Sequence, residues 1–244
     1  MRNIKLTLEY DGTEFHGFQR QRRLRTVQGV LEERFSGLLG EDIKMVGAGR
    51  TDAGVHAVGQ VANFRTTRPI GIGRLVAVLN GVLPADVRVQ ACEEVDDGFH
   101  ARRCARSRTY RYTIVERKVP SPLQGRFALV TPAWLAVPAM REAAHPLVGR
   151  HDFRAFRASG SETATTQREL LRLDCERAGD CVQITAEADS FLYQMVRRIV
   201  AGLIAVGGGK LKTSALGEAL ASGERLPSCP PAPACGLCLV RVSY

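Results

Sequence analysis

The sequence predicts an α+β fold, a mostly antiparallel central sheet flanked by helices, and three observations lead there. Apolar residues alternate with polar ones at Ile4, Leu6, Leu8 and Tyr10, and again at Tyr110, Tyr112 and Ile114, the period of a half-buried strand. Helical spacing replaces alternation at Val27, Val30, Leu31, Phe35, Leu38 and Leu39, and at Leu192, Met195, Val196, Ile199, Val200, Leu203 and Ile204. Strands and helices also recur in similar order before and after residue 105, which suggests two related α/β halves, residues 1–105 and 106–244.

Taken in order, the first strand runs from Ile4 to Tyr10 and ends at the turn pair Asp11-Gly12. A basic stretch from Arg20 to Arg25 follows. Thr26 is placed to cap a helix that begins at Val27 and stops at Gly40. A short strand from Ile43 to Val46 delivers the chain into a small-residue loop, and a longer strand from Val58 to Thr66 leaves it. Helix from Gly73 to Gly81 and a strand through Val87, Val89 and Ala91 close the first half. The second half offers a strand from Ser107 to Glu116, a helix from Leu135 to Leu147, and strands from Leu170 to Cys175 and Val182 to Ala188. A long helix from Phe191 to Val206 is ended by Gly207-Gly208-Gly209, before a short helix from Thr213 to Ala221 and a last strand from Leu237 to Ser243.

With 244 residues, 45% of them apolar, the chain can bury a sizeable core. No run of 18 apolar residues occurs, and Met1-Arg2-Asn3-Ile4-Lys5-Leu6 enters a strand pattern instead of a signal peptide, so a soluble, cytoplasmic protein is expected. A formal net charge of +9 favours a polyanionic partner such as nucleic acid. Of 34 basic residues 29 are Arg, which fits phosphate recognition and coding bias equally well. Seven cysteines, an odd number, argue against a disulfide framework. Cys235 and Cys238 have the spacing of half a zinc knuckle, with Cys229 nearby, but no second pair and no following His completes it. A Pro-rich loop leading into a buried strand is the plainer reading, and no metal is expected.

The chemistry is expected between Gly47 and Ala57. Three glycines and three alanines leave little bulk around Asp52, so a large polyanion can bring its backbone close to that carboxylate. Arg50 puts an opposite charge nearby and can itself hold phosphate. Asp-Ala-Gly is equally good chemistry for a plain turn. Gly47-x-Gly49 is not a dinucleotide fingerprint, because Thr51-Asp52 stands where a third glycine belongs and a strand follows. A phosphate-binding P-loop is excluded, since no Gly-Lys-Ser or Gly-Lys-Thr occurs. Arg102, Arg103, Arg106, Arg108 and Arg111 interleave with Tyr110 and Tyr112, a pattern that can cradle RNA or that can bury its tyrosines and leave the arginines to solvent.

These residues converge on one family. Gly49-Arg50-Thr51-Asp52-Ala53-Gly54-Val55-His56-Ala57 resembles the signature of the tRNA pseudouridine synthase A family. The likeness covers nearly the whole chain. It includes Glu9-Tyr10-Asp11-Gly12 with Gly17-Phe18-Gln19-Arg20-Gln21, Phe99-His100-Ala101-Arg102 with Tyr110-Arg111-Tyr112, and His151-Asp152-Phe153 with Phe156-Arg157. Later blocks are Phe191-Leu192-Tyr193-Gln194-Met195-Val196-Arg197 and Ala232-Pro233-Ala234 with Gly236-Leu237-Cys238-Leu239-Val240. Two stretches depart from the family pattern, Ser159 to Thr166 and the Cys- and Pro-rich Cys229 to Cys235.

The resemblance implies that Asp52 is the essential aspartate, Tyr110 the tyrosine that stacks on the target uracil, Arg197 the basic partner of Asp52, and Arg50 an aid to base flipping. Arg20, Gln21, Arg22 and Arg23 are expected to contact the RNA. It further implies two halves around a basic cleft, Cys238 within a strand, and a homodimer acting without cofactor, metal or membrane. The implied substrate is the anticodon stem-loop of tRNA, at uridines 38, 39 and 40. A tRNA-binding module or chaperone that keeps this scaffold without catalysis is the alternative.

Overall fold

A computed structural model describes residues 1–160, 164–226 and 229–244. In chain order its strands are β1 (Arg2–Tyr10), β2 (Met45–Gly47), β3 (His56–Thr66), β4 (Val87–Val95), β5 (Ser107–Glu116), β6 (Leu129–Thr131), β7 (Gly149–Asp152), β8 (Gln167–Ala178), β9 (Cys181–Ala188) and β10 (Leu237–Ser243). The helices are α1 (Val27–Leu39), α2 (Ile72–Asn80), α3 (Val137–Ala144), α4 (Met195–Gly207) and α5 (Ala215–Ser222), with short 3-10 turns at His145–Leu147, Arg154–Phe156 and Ala234–Gly236. The α+β class and the mostly antiparallel pairing agree with the sequence. Two compact units are formed, Met1–Arg106 with Cys238–Tyr244, and Ser107–Leu237.

In the first unit β1 lies between β3 and β4 and is antiparallel to both, with Leu6 opposite Ala62 and Cys92. Ile4, Leu6 and Leu8 of β1 are fully buried, as their alternation predicts. They share the core with Phe64 and with Leu31 and Phe35 of α1, and the rings of Phe35 and Phe64 are 5.8 Å apart. Thr26 caps α1 by accepting the Gly29 N–H at 3.2 Å, and Gly40 ends it at φ 65°. Each such cap is worth about 1 kcal/mol.

The edge of β3 away from β1 is shared. Residues 62–64 pair antiparallel with β2, Met45 opposite Phe64 and Gly47 opposite Ala62. His56 and Ala57 pair in parallel with Cys238 and Leu239 of β10. The last strand, expected with residues 106–244, therefore adds to the first unit. Because β10 takes the edge where β2 stops, the connection from Ala48 to Val55 is turned out of the sheet. That connection carries Arg50 and Asp52.

In the second unit β5 pairs antiparallel with β9, Tyr110 opposite Ala186 and Tyr112 opposite Ile184. A tight turn through Gly179, at φ 61°, joins β8 to β9, and β7 pairs with the start of β8. α3 packs on β8 and on α4, and α4 buries Met195, Val196, Ile199, Val200, Leu203 and Val206. Several bounds differ from expectation for physical reasons. α4 starts at Met195 instead of Phe191, because Gln194 sits at φ 58° and interrupts the helical path. α3 gives way to a 3-10 turn at His145 because Pro146 has no N–H to continue it. β6 and β7 escape the sequence reading: one has three residues and the other, Gly-Arg-His-Asp, has no apolar alternation. Of the divergent stretch Ser159 to Thr166, Ser161, Glu162 and Thr163 lie outside the described residues.

A buried ion pair fastens the second unit. Glu116 at the end of β5, its side chain 3% exposed, accepts from Arg177 of β8 and from the Leu135 N–H at 2.7 Å. Arg177 in turn donates to the Leu135 carbonyl at 2.6 Å and lies 3.5 Å over the Trp134 ring. Replacing Glu116 by Ala removes the carboxylate that Arg177 and the Leu135 N–H share, so stability should fall by about 2–3 kcal/mol in urea unfolding. A loss below about 0.5 kcal/mol would mean that solvent replaces this pair freely.

Candidate active site

The segment from Ala48 to Val55 is built as a loop by contacts from both sides. On the sheet side the Ala48 N–H donates to the Val61 carbonyl at 2.7 Å. Gln60 of β3, fully buried, then takes both polar groups of the next residue: its Nε2 donates to the Gly49 carbonyl at 2.9 Å and its Oε1 accepts the Gly49 N–H at 3.3 Å. Tyr10 at the end of β1 forms a hydrogen bond with Thr51 Oγ1 at 2.8 Å. Burial drives the Tyr10 phenol well above its ordinary pKa, so it remains a neutral hydroxyl.

The segment from Asp11 to Phe18 supplies the other side. Phe18 N–H donates to the Thr51 carbonyl at 3.0 Å, and Gly54 N–H donates to the Phe15 carbonyl at 3.2 Å. The Gly12 N–H donates to Nδ1 of His56 at 3.0 Å, and Asp11 Oδ1 stands 3.3 Å from the same nitrogen. Both glycines of this segment are there because backbone passes close. A Cβ on Gly12 would stand 2.0 Å from the Val55 carbonyl oxygen, and one on Gly17, at φ 88°, 2.7 Å from the Thr51 carbonyl oxygen. The two motifs that look separate in the sequence are thus one structure.

Within this frame Asp52 closes a turn, its carbonyl accepting the Val55 N–H at 3.2 Å with Gly54 at φ 77°. The turn that Asp-Ala-Gly suggests is present. Asp52 is half-buried and Arg50 is exposed. The backbone on either side of Arg50 is held by these contacts.

The basic stretch divides in two. Arg20 pairs at 2.8 Å with Glu32, a carboxylate 5% exposed that also accepts the Met45 N–H, and Arg25 forms a bidentate pair with Asp86 at 2.7 and 3.0 Å. Gln21 spends its amide on the His16 carbonyl at 2.8 Å. Arg22 and Arg23 are exposed, with no ion pair among the described residues. All four arginines of the stretch are exposed, and these two carry charge that no carboxylate among the described residues offsets.

In the second unit Tyr110 lies on β5, 7% exposed, with its ring edge-to-face on Phe191 at 5.3 Å. Tyr112, two residues on, is fully buried and donates to the Pro233 carbonyl at 2.9 Å, which makes it a core residue. Arg108 is also buried, donating to the Asp189 carbonyl at 2.7 Å, whereas Arg111 is exposed. Arg197, in the first turn of α4, donates through Nε to the Ala232 carbonyl at 2.7 Å, and the Ala232 N–H returns a bond to the Arg197 carbonyl at 3.0 Å. The block Ala232-Pro233-Ala234 thus receives one side chain from β5 and one from α4. No acidic residue lies in the first turn of α4, so Arg197 and Arg198 add positive charge to the positive end of the helix.

Cys238 lies in β10, as the family likeness implies, and the sulfurs of Cys235 and Cys238 face different carbonyls, Ala128 at 3.7 Å and Leu239 at 3.8 Å. Among the described residues no three His, Cys, Asp or Glu stand together as a metal site, and no helix is long and apolar enough to cross a membrane. Sequence reasoning missed Gln60. Its signal was a polar residue at an inward position of a strand.

Known proteins bear on this arrangement directly. A family model described as tRNA pseudouridine synthase matches residues 7–102 and 143–244. A protein named tRNA pseudouridine synthase A from Thermoanaerobacter sp. (strain X514) is 42% identical over 244 residues, all of both chains. The protein of that name from Acetivibrio thermocellus is 43% identical over the same full length, and that from Azorhizobium caulinodans 44% identical over all of this chain and 95% of its own. Among solved structures, the archaeal box H/ACA sRNP Nop10-Cbf5 complex aligns with 84% of this chain and 44% of that one at 15% identity, but with a TM-score of 0.37 the likeness is too loose to inform the site. Full-length identity above 40%, and a family match that spans both the Asp52 loop and α4, have one meaning: the chain belongs to the tRNA pseudouridine synthase family.

Proposed function

We propose that this protein isomerises uridine to pseudouridine at positions 38, 39 and 40 in the anticodon stem-loop of tRNA, with Asp52 as the catalytic residue. The observation that carries the reading is the Asp52 loop: the backbone contacts described above come from inside the first unit, and they fix the path of the loop that bears the half-buried Asp52 and the exposed Arg50. A site of that form suits a nucleotide brought out of its stack, because the acting group is fixed before the substrate arrives.

The reaction breaks the bond between C1′ and N1, turns the uracil, and joins C1′ to C5. N1 gains a proton and C5 loses one, so atoms and electrons balance with no redox partner. Asp52 acts on the sugar, either as nucleophile or by taking a proton from it. Tyr110 stacks on the uracil, Arg197 serves as the basic partner of Asp52, and Arg50 fills the space left by the displaced base. Arg20, Gln21, Arg22 and Arg23 belong to the RNA-binding side, with Arg22 and Arg23 the principal phosphate contacts because Glu32 already holds Arg20. The protein works as a homodimer in which one tRNA meets both subunits.

Asp52→Asn should abolish release of tritium from C5-labelled uridine in tRNA while leaving tRNA affinity within about two-fold of the parent. Substantial turnover by that variant would remove Asp52 from the chemistry. For the basic stretch, Arg22→Gln with Arg23→Gln should weaken tRNA binding and lower the slope of log affinity against log salt by about 1–2 units. The same change at Arg25, which Asp86 neutralises, should lower it less. Equal slopes for all three proteins would return the stretch to a solvated surface.

A further inference from the structure

We propose that Tyr10, Thr51 and Gln60 are positioning residues for the reaction: a buried chain of hydrogen bonds, running from Gln60 through the Tyr10 hydroxyl to Thr51, that sets the aim of Asp52. The inference rests on the reading of Asp52 as the catalytic residue and extends it to side chains that never touch the RNA.

The geometry has a direction. Gln60 Nε2 donates to the Gly49 carbonyl at 2.9 Å and lies 3.4 Å from the Tyr10 oxygen. An amide nitrogen has no lone pair to offer, so in that contact Tyr10 accepts. The Tyr10 proton is then free to point at Thr51 Oγ1, 2.8 Å away. On its other side the Gln60 oxygen accepts from the N–H groups of Gly49 at 3.3 Å and Val61 at 3.2 Å. One amide therefore grips the residue before Arg50, and one phenol grips the residue after it. Thr51 is held a second time, at its carbonyl, by Phe18 N–H.

All three members are out of solvent: Gln60 is 0% exposed, Tyr10 3% and Thr51 6%. A buried polar group is costly unless bonded, and here each is bonded to the loop or to the next member of the chain. Core packing alone does not call for an amide, a phenol and a hydroxyl at adjoining positions. Gln60 bonds to Gly49 and Tyr10 bonds to Thr51, the residues on either side of Arg50. Asp52 follows directly. A carboxylate displaced by a fraction of an ångström loses its line to the reacting carbon, while tRNA binding, spread over a large surface, changes little.

The test uses the full chain with C5-tritiated tRNA, measuring the single-turnover rate and the tRNA dissociation constant side by side, well below each variant's melting temperature. Tyr10→Phe and Thr51→Val should each lower the rate by about ten-fold or more with tRNA affinity within about two-fold of the parent. Together they should be little worse than either alone, because both remove the same bond. Thr51→Ser, which keeps the hydroxyl, should recover most of the rate. Parent-like rates for Tyr10→Phe and Thr51→Val would overturn the proposal, as would a Thr51→Ser variant as slow as Thr51→Val, since that would make methyl packing the cause. If Tyr10→Phe does not fold, the comparison of Thr51→Val with Thr51→Ser decides alone. Asp52→Asn measured in the same series separates the two readings: turnover there would sink the catalytic assignment, whereas an inactive Asp52→Asn beside an unimpaired Tyr10→Phe would sink only the positioning role.

Discussion

The backbone of Gly49 has both its polar groups taken by one buried amide, that of Gln60, and much of the first unit is arranged around that contact. It requires β3 to run beside the departing loop, which in turn requires β2 to stop at Gly47 and another strand to take the vacated edge. β10 does so in parallel, from a chain segment some 180 residues away in sequence. The hairpin between β2 and β3 is thereby opened into a loop of defined shape outside the sheet. Asp11 to Phe18 closes against it from the other side, and two glycines allow the approach.

A similar economy operates in the second unit. Tyr112 from β5 and Arg197 from α4 both bond to carbonyls of one short segment, Pro233 and Ala232. Burial raises the Tyr112 phenol far above its ordinary pKa, so it stays a neutral donor, while the nearby Arg197 charge acts in the opposite sense. The strand bearing Tyr110 and the helix bearing Arg197 are thus referenced to the same stretch of backbone. Segments rich in proline and small residues do this well because they have few conformations of their own.

What could be read from the sequence follows from how local each cause is. Alternation found β1 and β5, and i, i+4 spacing with a Thr cap and a Gly stop found α1 to the residue, because those signals lie within the elements themselves. β6 and β7 exist only because partner strands offer free edges, which no local pattern reports. α4 starts later than the apolar spacing predicts because Leu192 is buried like a helix residue but belongs to the turn before Gln194. At the site, Asp52 and Arg50 stood out by contrast with their small neighbours. Gln60 did not, since an isolated glutamine in a strand looks like surface until its partners are known. The roles proposed for Tyr110 and Arg197 come from family resemblance, since spacing alone gives none to residues so far apart in the chain.

The most direct measurement is a map of pseudouridine in unmodified tRNA after incubation with this protein, read at each nucleotide by chemical modification and primer extension. The account predicts new pseudouridine at positions 38, 39 and 40 wherever uridine occurs there, absent when Asp52→Asn replaces the parent protein. A tRNA that binds tightly yet gains no pseudouridine at any of the three would contradict it and leave a binding protein in its place.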